Sequence, residues 1–286
     1  MPEPPELDES LYSLSDEELK FYLAWTGISD EDELKRHILD IQARAYKIFP
    51  YPCIRRLSFT RLRLHHHPAY KHALEYGKTH QDALYLELGC CSRKIMLDGF
   101  PPQNIVATDL HQEFWNLGFE LFNDDSSKCP ISFVHGDILA SEMLDSSKDK
   151  TDTQPDLANL HSLNELLGRV SIIHAAAFFH LFSEENQRRI AGGCISLLSR
   201  LAGTMVFGSH IGASKPGEYQ NSRGTGRSMF CHSPQSWEDL WQSVGQGKIG
   251  NNKLHVWAKL IEMPKGDPLF TKGRGWMVWC AKIIQA

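Results

Sequence analysis

The stretch from Ala83 to Ser92, Ala-Leu-Tyr-Leu-Glu-Leu-Gly-Cys-Cys-Ser, constrains this chain more than any other. An apolar run ends on an acid, Glu87, and then on Gly89, a residue that lets backbone come close to a ligand. The run predicts a strand, Gly89 a tight turn, and Arg93 to Asp98 a short helix. Strand, glycine turn and helix in that order are how doubly wound α/β folds hold a nucleotide-like group at the carboxyl edge of a sheet. A single glycine falls short of the full G-x-G-x-x-G pattern, so these residues alone also fit an ordinary buried strand and turn.

The downstream chain extends the pattern. Asn104–Leu110 reads as a second parallel strand whose acid, Asp109, stands about 20 positions past the turn, where βαβ cofactor sites place the carboxylate that takes ribose hydroxyls. Ile131–Ile138 reads as a third strand, again tipped by an acid, Asp137. Val170–Ala175 is apolar enough for a strand buried on both faces, Gly203–His210 is a fifth strand, and Leu254–Glu262 and Gly275–Ile284 close the set. Helices are predicted over His111–Phe122, Leu157–Leu167, Glu184–Leu201 and Ser236–Val244, with an exposed loop at Ser141–Pro155 and a glycine-rich loop at Ser214–Arg227. This alternation points to one mixed sheet covered on both faces, and 286 residues suit a single core.

Ahead of the first strand, residues 1–13 read as a loose arm. Ser15 and Glu18 have the spacing of a capping box that opens a helix through Lys20 to about Trp25. A second helix, begun at Ser29, carries Leu34, Ile38, Ile41, Ala45 and Ile48 on one face until Pro50 and Pro52 stop it. Arg55, Arg56, Arg61 and Arg63 fit either a solvated face or a pocket for an acidic substrate. His65, His66 and His67 are adjacent, so on an extended chain they point to alternate sides and cannot converge on one ion; no metal is expected.

A formal charge of −5 gives no support to a nucleic-acid footprint. The seven cysteines are odd in number and form no C-x-x-C pair, which argues for a reducing compartment rather than a disulfide framework. The first residues are acidic where a targeting peptide would be basic, and no run approaches 18 apolar residues. A cytoplasmic chain with no membrane partner is expected.

Several segments, in order along the chain, carry a resemblance: Ile48-Phe-Pro-Tyr-Pro-Cys-Ile54, Glu87-Leu-Gly-Cys-Cys91, Asp98-Gly-Phe-Pro-Pro102, Thr108-Asp-Leu110, Phe114-Trp-Asn-Leu-Gly-Phe-Glu-Leu-Phe122, Gly136-Asp-Ile138, Ile173-His-Ala-Ala-Ala-Phe-Phe-His-Leu-Phe182 and Pro216-Gly-Glu-Tyr219. Together they resemble the class I S-adenosylmethionine-dependent methyltransferases of fungal polyketide and meroterpenoid pathways. The resemblance implies a Rossmann-like α/β fold: a seven-stranded sheet with its last strand antiparallel and helices on both faces, residues 79–286. It makes residues 1–78 an arm and helical lid over the substrate. It implies S-adenosyl-L-methionine as cofactor, with Glu87, Gly89, Cys90 and Cys91 at its methionine and ribose portion. Asp109 would take the ribose diol with Leu110 beside it, Asp137 and Ile138 would surround the adenine, and His174 and Ala175 would lie under the cofactor. A carboxylate accepts two hydroxyl protons at once, and an apolar neighbour fills the flat face of a ring.

One departure stands out. In the family Gly-Cys-Cys is followed by Phe-Gly-x-Asp and a helix bearing an Arg, whereas here Cys91 runs directly into Ser92-Arg93-Lys94. A loss of about four residues is close to one helical turn, so the fold can survive it. Two readings stay open. In the first, a loop that closes differently still supports methyl transfer to a carboxylate or hydroxyl oxygen of a small apolar fungal metabolite. In the second, a degenerate scaffold cyclises or isomerises a pathway intermediate without net methyl transfer. A hydroxyl acceptor needs a base, for which His180 at the fourth strand's exit is the first candidate and His210 the second; either can instead be structural. A homodimer is the assembly left to test.

Overall fold

The computed structural model describes residues 4–89, 93–220, 228–262 and 273–286. Its regular elements are, in chain order, α1 Asp16–Thr26, α2 Glu31–Ile48, α3 Pro52–Arg55, α4 Tyr70–Thr79, β1 Leu84–Leu88, α5 Arg93–Leu97, β2 Ile105–Asp109, α6 Gln112–Phe122, β3 Ser132–His135, β4 Val170–Ala176, α7 Glu184–Leu197, β5 Met205–Ala213, β6 Gly217–Gln220, β7 Ser228–Cys231, α8 Pro234–Gly245, β8 Lys253–Glu262 and β9 Arg274–Ile284. They divide into two compact units: residues up to Arg63 with His111–Pro130, and Leu64–Leu110 with Ile131–Ala286. Residues 64–78 therefore group with the sheet, and α6 with the N-terminal helices.

The helical unit forms where the sequence puts an amphipathic stripe. Ser15 accepts from the Glu18 N–H and Glu18 returns a bond to the Ser15 N–H, closing the capping box at α1. Asp30, rather than Ser29, caps α2 by accepting from the Glu33 N–H at 2.7 Å. Leu34, Ile38, Ile41 and Ala45 of α2 are buried with Tyr22 of α1 and Leu117 and Leu121 of α6. Pro52 does not simply stop α2; it opens the single turn of α3, where its missing N–H is not needed. The Arg55 Nε donates to the Glu6 carbonyl at 2.9 Å and Arg61 pairs with Glu18 at 2.7 Å, so two arginines of the basic run tie down the arm and α1.

In the other unit seven strands lie in the order β3-β2-β1-β4-β5-β9-β8. The pairs from β3 to β5 are parallel, while β9 runs antiparallel to both β5 and β8. That is the class I methyltransferase arrangement. Alternation sorts the side chains: Leu84, Leu86 and Leu88 join Ile173, Ala175 and Val206 on the face covered by Ile190 and Cys194 of α7 and Trp237 and Trp241 of α8. Tyr85 and Glu87 point to the opposite face, where the Tyr85 ring meets Phe100 at 5.5 Å. No helix among the described residues is long and apolar enough to cross a membrane.

Three further expectations change. Leu157–Leu167 is not one helix but two short 3-10 turns, Leu157–Asn159 and Leu163–Leu166. Asp156 and the Ser162–Glu165 capping box each start a new turn there, and local side-chain bonds outcompete a continuous helix. The helix after Ser183 ends at Leu197, four residues early, because Leu198 turns away to bridge Val170 of β4. The segment expected as a loop from Ser214 contains a hairpin instead: Gly217 pairs Cys231 and Gln220 pairs Ser228. Met229 and Cys231 of that hairpin are buried against Ile211 and Ala213.

Gly208 fixes how closely β4 and β5 approach. A Cβ built there would lie 2.0 Å from the Ala175 carbonyl oxygen, a main-chain atom of a buried strand that cannot swing aside. Gly208→Ala should therefore cost about 3 kcal/mol or more, at the upper end of overpacking penalties. Urea unfolding checks this: the midpoint should fall well below that of the parent, and an unchanged midpoint would show that the two strands can separate freely.

Candidate active site

The chain builds outward from β1 in both directions, through β2 to β3 on one side and from β4 to β5 on the other, so the strand order reverses between β1 and β4. In open parallel sheets ligands bind outside the carboxyl ends at such a reversal. The register brings the candidate residues to that edge: Glu87 lies opposite His174, Leu88 opposite Thr108, and Asp109 opposite His135.

On β1 and β4 the polar groups close on one another. Glu87 and His174 are 1% and 2% exposed, and His174 Nδ1 donates to Glu87 Oε1 at 2.8 Å with Oε2 at 3.0 Å. The Tyr85 hydroxyl donates to the same Oε2 at 3.0 Å. Tyr85 was missed from the sequence, although residues two apart on a strand share a face and an acid buried beside a tyrosine should bond to it. The Phe207 ring stands 4.8 Å from His174 and 4.8 Å from His67, which seals this cluster. His67 accepts the Ala69 N–H on Nδ1 at 3.0 Å and donates from Nε2 to the Gly208 carbonyl at 3.1 Å; burial, then the charge of His174, pushes its pKa down to about 4. The histidine triplet thus contributes one neutral, hydrogen-bonded core residue.

The exits of β2 and β3 are open by comparison. Asp109 is half-buried; its carbonyl accepts the Gly136 N–H at 3.1 Å, and the next carbonyl, of Leu110, meets His135 Nε2 at 3.0 Å. These bonds lock the two exits together. The Leu110 side chain is 52% exposed beside Asp109, an apolar surface left in the open. Asp137 is exposed and closes an Asx turn, Oδ1 accepting the Leu139 N–H at 2.9 Å, while Ile138 packs partly against the core. Gly89 has φ +106, which favours glycine, and among the described residues a Cβ there would meet nothing within 4 Å. Cys90, Cys91 and the shortened loop lie outside the described residues. Ala175 is wholly buried in β4.

The two candidate bases receive different settings. Past β4 the chain kinks at Ala177, a non-glycine residue at φ +51 whose N–H reaches the Ser209 carbonyl at 2.7 Å. The kink carries His180 to a half-buried position, with Nδ1 3.4 Å from the Ile211 N–H. His210, 6.4 Å away ring to ring, is 1% exposed: Nδ1 accepts from Trp279 Nε1 at 2.9 Å and Trp237 packs on its ring at 4.6 Å. Its proton therefore sits on Nε2, and burial, reinforced by His180 and His232, holds its pKa well below the usual range. So enclosed a ring gives an acceptor oxygen no route in this conformation, whereas His180, past the exit of β4, is half-buried. A hollow of about 550 Å³ lined by Gln242, Gly247, Asn252 and Lys253 holds none of these residues.

The donor set suits a nucleoside. Two carboxylates flank an exposed leucine on adjacent strand exits, the combination that takes ribose hydroxyls, an exocyclic amine and a flat ring face.

Residues 7–60 match a family profile described as the meroterpenoid methyltransferase N-terminal domain. The methyltransferase ausD of Aspergillus calidoustus is 28% identical over 257 residues, covering 88% of this chain and 85% of the relative. The chain is thus similar, over most of its length, to fungal secondary-metabolite methyltransferases. A further relative, the O-methyltransferase atr3 of Stereocaulon alpinum, is 30% identical over 239 residues, covering 82% of this chain and 63% of the relative. Among solved structures, the 1,6-didemethyltoxoflavin-N1-methyltransferase of Burkholderia thailandensis, with its substrate and S-adenosylhomocysteine bound, aligns with a TM-score of 0.46 at 10% identity, covering 90% of this chain and 92% of that one.

Proposed function

We propose that the chain transfers a methyl group from S-adenosylmethionine to an oxygen, carboxylate or hydroxyl, of a small apolar fungal metabolite. The observation that carries this reading is the pair of acids, Asp109 and Asp137, flanking the exposed Leu110 beside the strand-order reversal. When bound, the sulfonium supplies an electrophilic methyl group. Asp109 would hold the ribose diol, and Leu110 and Ile138 would receive the adenine face with Asp137 at its amine. The Glu87–His174 pair fixes β1 against β4. Because the reaction is an in-line displacement, the chain's contribution is to hold donor and acceptor at attacking distance.

His180 takes the acceptor proton where that acceptor is a hydroxyl. A carboxylate carries no such proton. His180→Ala should then lower turnover of a hydroxyl acceptor by roughly a hundredfold or more and leave a carboxylate acceptor within a few fold. Equal loss on both acceptor classes would place His180 in binding rather than proton transfer. The first test is calorimetric titration with S-adenosylmethionine, for which micromolar binding is expected. No heat at millimolar ligand would remove the reading.

A further inference from the structure

β8 closes one side of the seven-stranded sheet, and among the described residues it is hydrogen-bonded to one strand only, β9. The opposite edge, β3, is 4 residues long, whereas β8 is 10. A long edge strand offers its unpaired N–H and C=O groups to any further strand. Here the side chains favour such pairing, because Leu254, Val256, Trp257, Ala258, Leu260 and Ile261 are apolar and the run from Lys253 to Glu262 holds no proline. Its two lysines, Lys253 and Lys259, are the ordinary deterrent. A second comes from α8. Gln242 Nε2 donates to the Leu254 carbonyl at 2.9 Å, and the Ala258 N–H donates to Glu238 Oε1 at 3.0 Å. In an antiparallel pair alternate residues turn both main-chain groups toward the partner strand. Bonds from outside the sheet at 254 and 258 therefore mark the even-numbered residues of β8 as the ones facing away from β9.

We infer that α8 seals the β8 edge against strand addition through Gln242 and Glu238, so that a homodimer of this chain uses a surface other than this edge. The two side chains stand four residues apart on one face of the helix and engage the first and third outward positions of the strand. Between them Val256 alone faces outward, and beyond them come Leu260 and then Glu262, where the strand ends. A ladder needs several outward residues in succession. A strand arriving at Val256 meets a side chain on either flank, and to extend its pairing it has to displace a charge-assisted bond at the Ala258 N–H and an amide bond at the Leu254 carbonyl.

The full chain carrying both Glu238→Ala and Gln242→Ala tests this against the parent and against Glu238→Gln, which keeps an acceptor oxygen in place. Gln242 is exposed and Glu238 half-buried, apart from the buried Trp237, Leu240 and Trp241 of the same helix, so the fold survives these changes. Sedimentation velocity from low to high micromolar protein reads association, and amide exchange across residues 254–260 reads where it occurs. The double variant should self-associate about tenfold or more tightly than the parent, with exchange in that segment slowing as concentration rises. The parent and Glu238→Gln should show no concentration dependence there. A double variant no more associated than the parent would overturn the inference and leave Lys253 and Lys259 as sufficient protection. Association without slowed exchange across 254–260 would overturn it too, as would a parent whose own 254–260 amides slow with concentration.

Discussion

Replacing His174 by alanine is expected to cost about 3–5 kcal/mol of folding free energy, because it leaves the Glu87 carboxylate buried without its nearest cationic or N–H partner. Glu87 is 1% exposed and cannot turn to water, and among the described residues Tyr85 then remains to satisfy it. Against a total stability of about 5–15 kcal/mol for a domain, this is a large fraction. The double replacement Glu87→Leu with His174→Leu should cost less than either single alanine change, since no charge is left stranded. Urea unfolding of the two single variants and the double variant gives the comparison. A double variant as unstable as the two singles together would mean that the residues act by volume and not as a pair.

Acidification should destabilise the protein well above the usual carboxylate range. Three buried histidines resist protonation in the folded chain: His67 and His232 at about 4, both lowered first by burial, and His210 well below its ordinary value for the same reason. In the unfolded chain each titrates near 6.5. The folded state thus binds fewer protons; the stability is fully present above about 6.5 and drains away as the pH falls toward 4. Between pH 7.5 and 5.5 each residue forfeits roughly 1.3 kcal/mol, so the three together forfeit about 4 kcal/mol. Urea unfolding at the two pH values measures it, and His232→Gln should remove about a third of the difference. A folding free energy equal at both pH values would mean these rings gain protons in place.

Most of the sheet is legible in the sequence because buried parallel strands read as continuous apolar runs closed by an acid or a glycine, as at Leu84–Leu88 and Ile105–Asp109. Pairing order is not written in such runs. The resemblance implies only an antiparallel last strand, and nothing local tells β9 to insert between β5 and β8. Where side chains offer the backbone competing bonds, pattern misleads: the leucines of 157–167 keep a helical spacing, yet Asp156 and Glu165 restart the turn twice. The β6–β7 hairpin was hidden for another reason, because its strands are four residues long and flank glycine-rich sequence.

The site divides in the same way. Asp109, Leu110 and Asp137 were visible as the tips of strands, and the structure leaves them at an open edge. The closure of Glu87 by His174 could not be read in advance, because it joins residues 87 positions apart through the β1–β4 register. Likewise His210 looked like a strand-end base until Trp279 and Trp237, from β9 and α8, closed over it.

Asp109→Ala is the measurement on which the donor site depends most directly, with two readouts: affinity for S-adenosylhomocysteine and the melting temperature of the ligand-free protein. Removing a carboxylate from two ribose hydroxyls forfeits charge-assisted bonds worth about 1.5–3 kcal/mol each, so affinity should fall at least tenfold. The half-buried side chain stands at the end of β2, and the melting temperature should stay within about 2 °C of the parent, as for substitutions away from the core. Unchanged affinity with a lowered melting temperature would contradict the account, making Asp109 a strand-end support and leaving the edge without a cofactor-binding acid on β2.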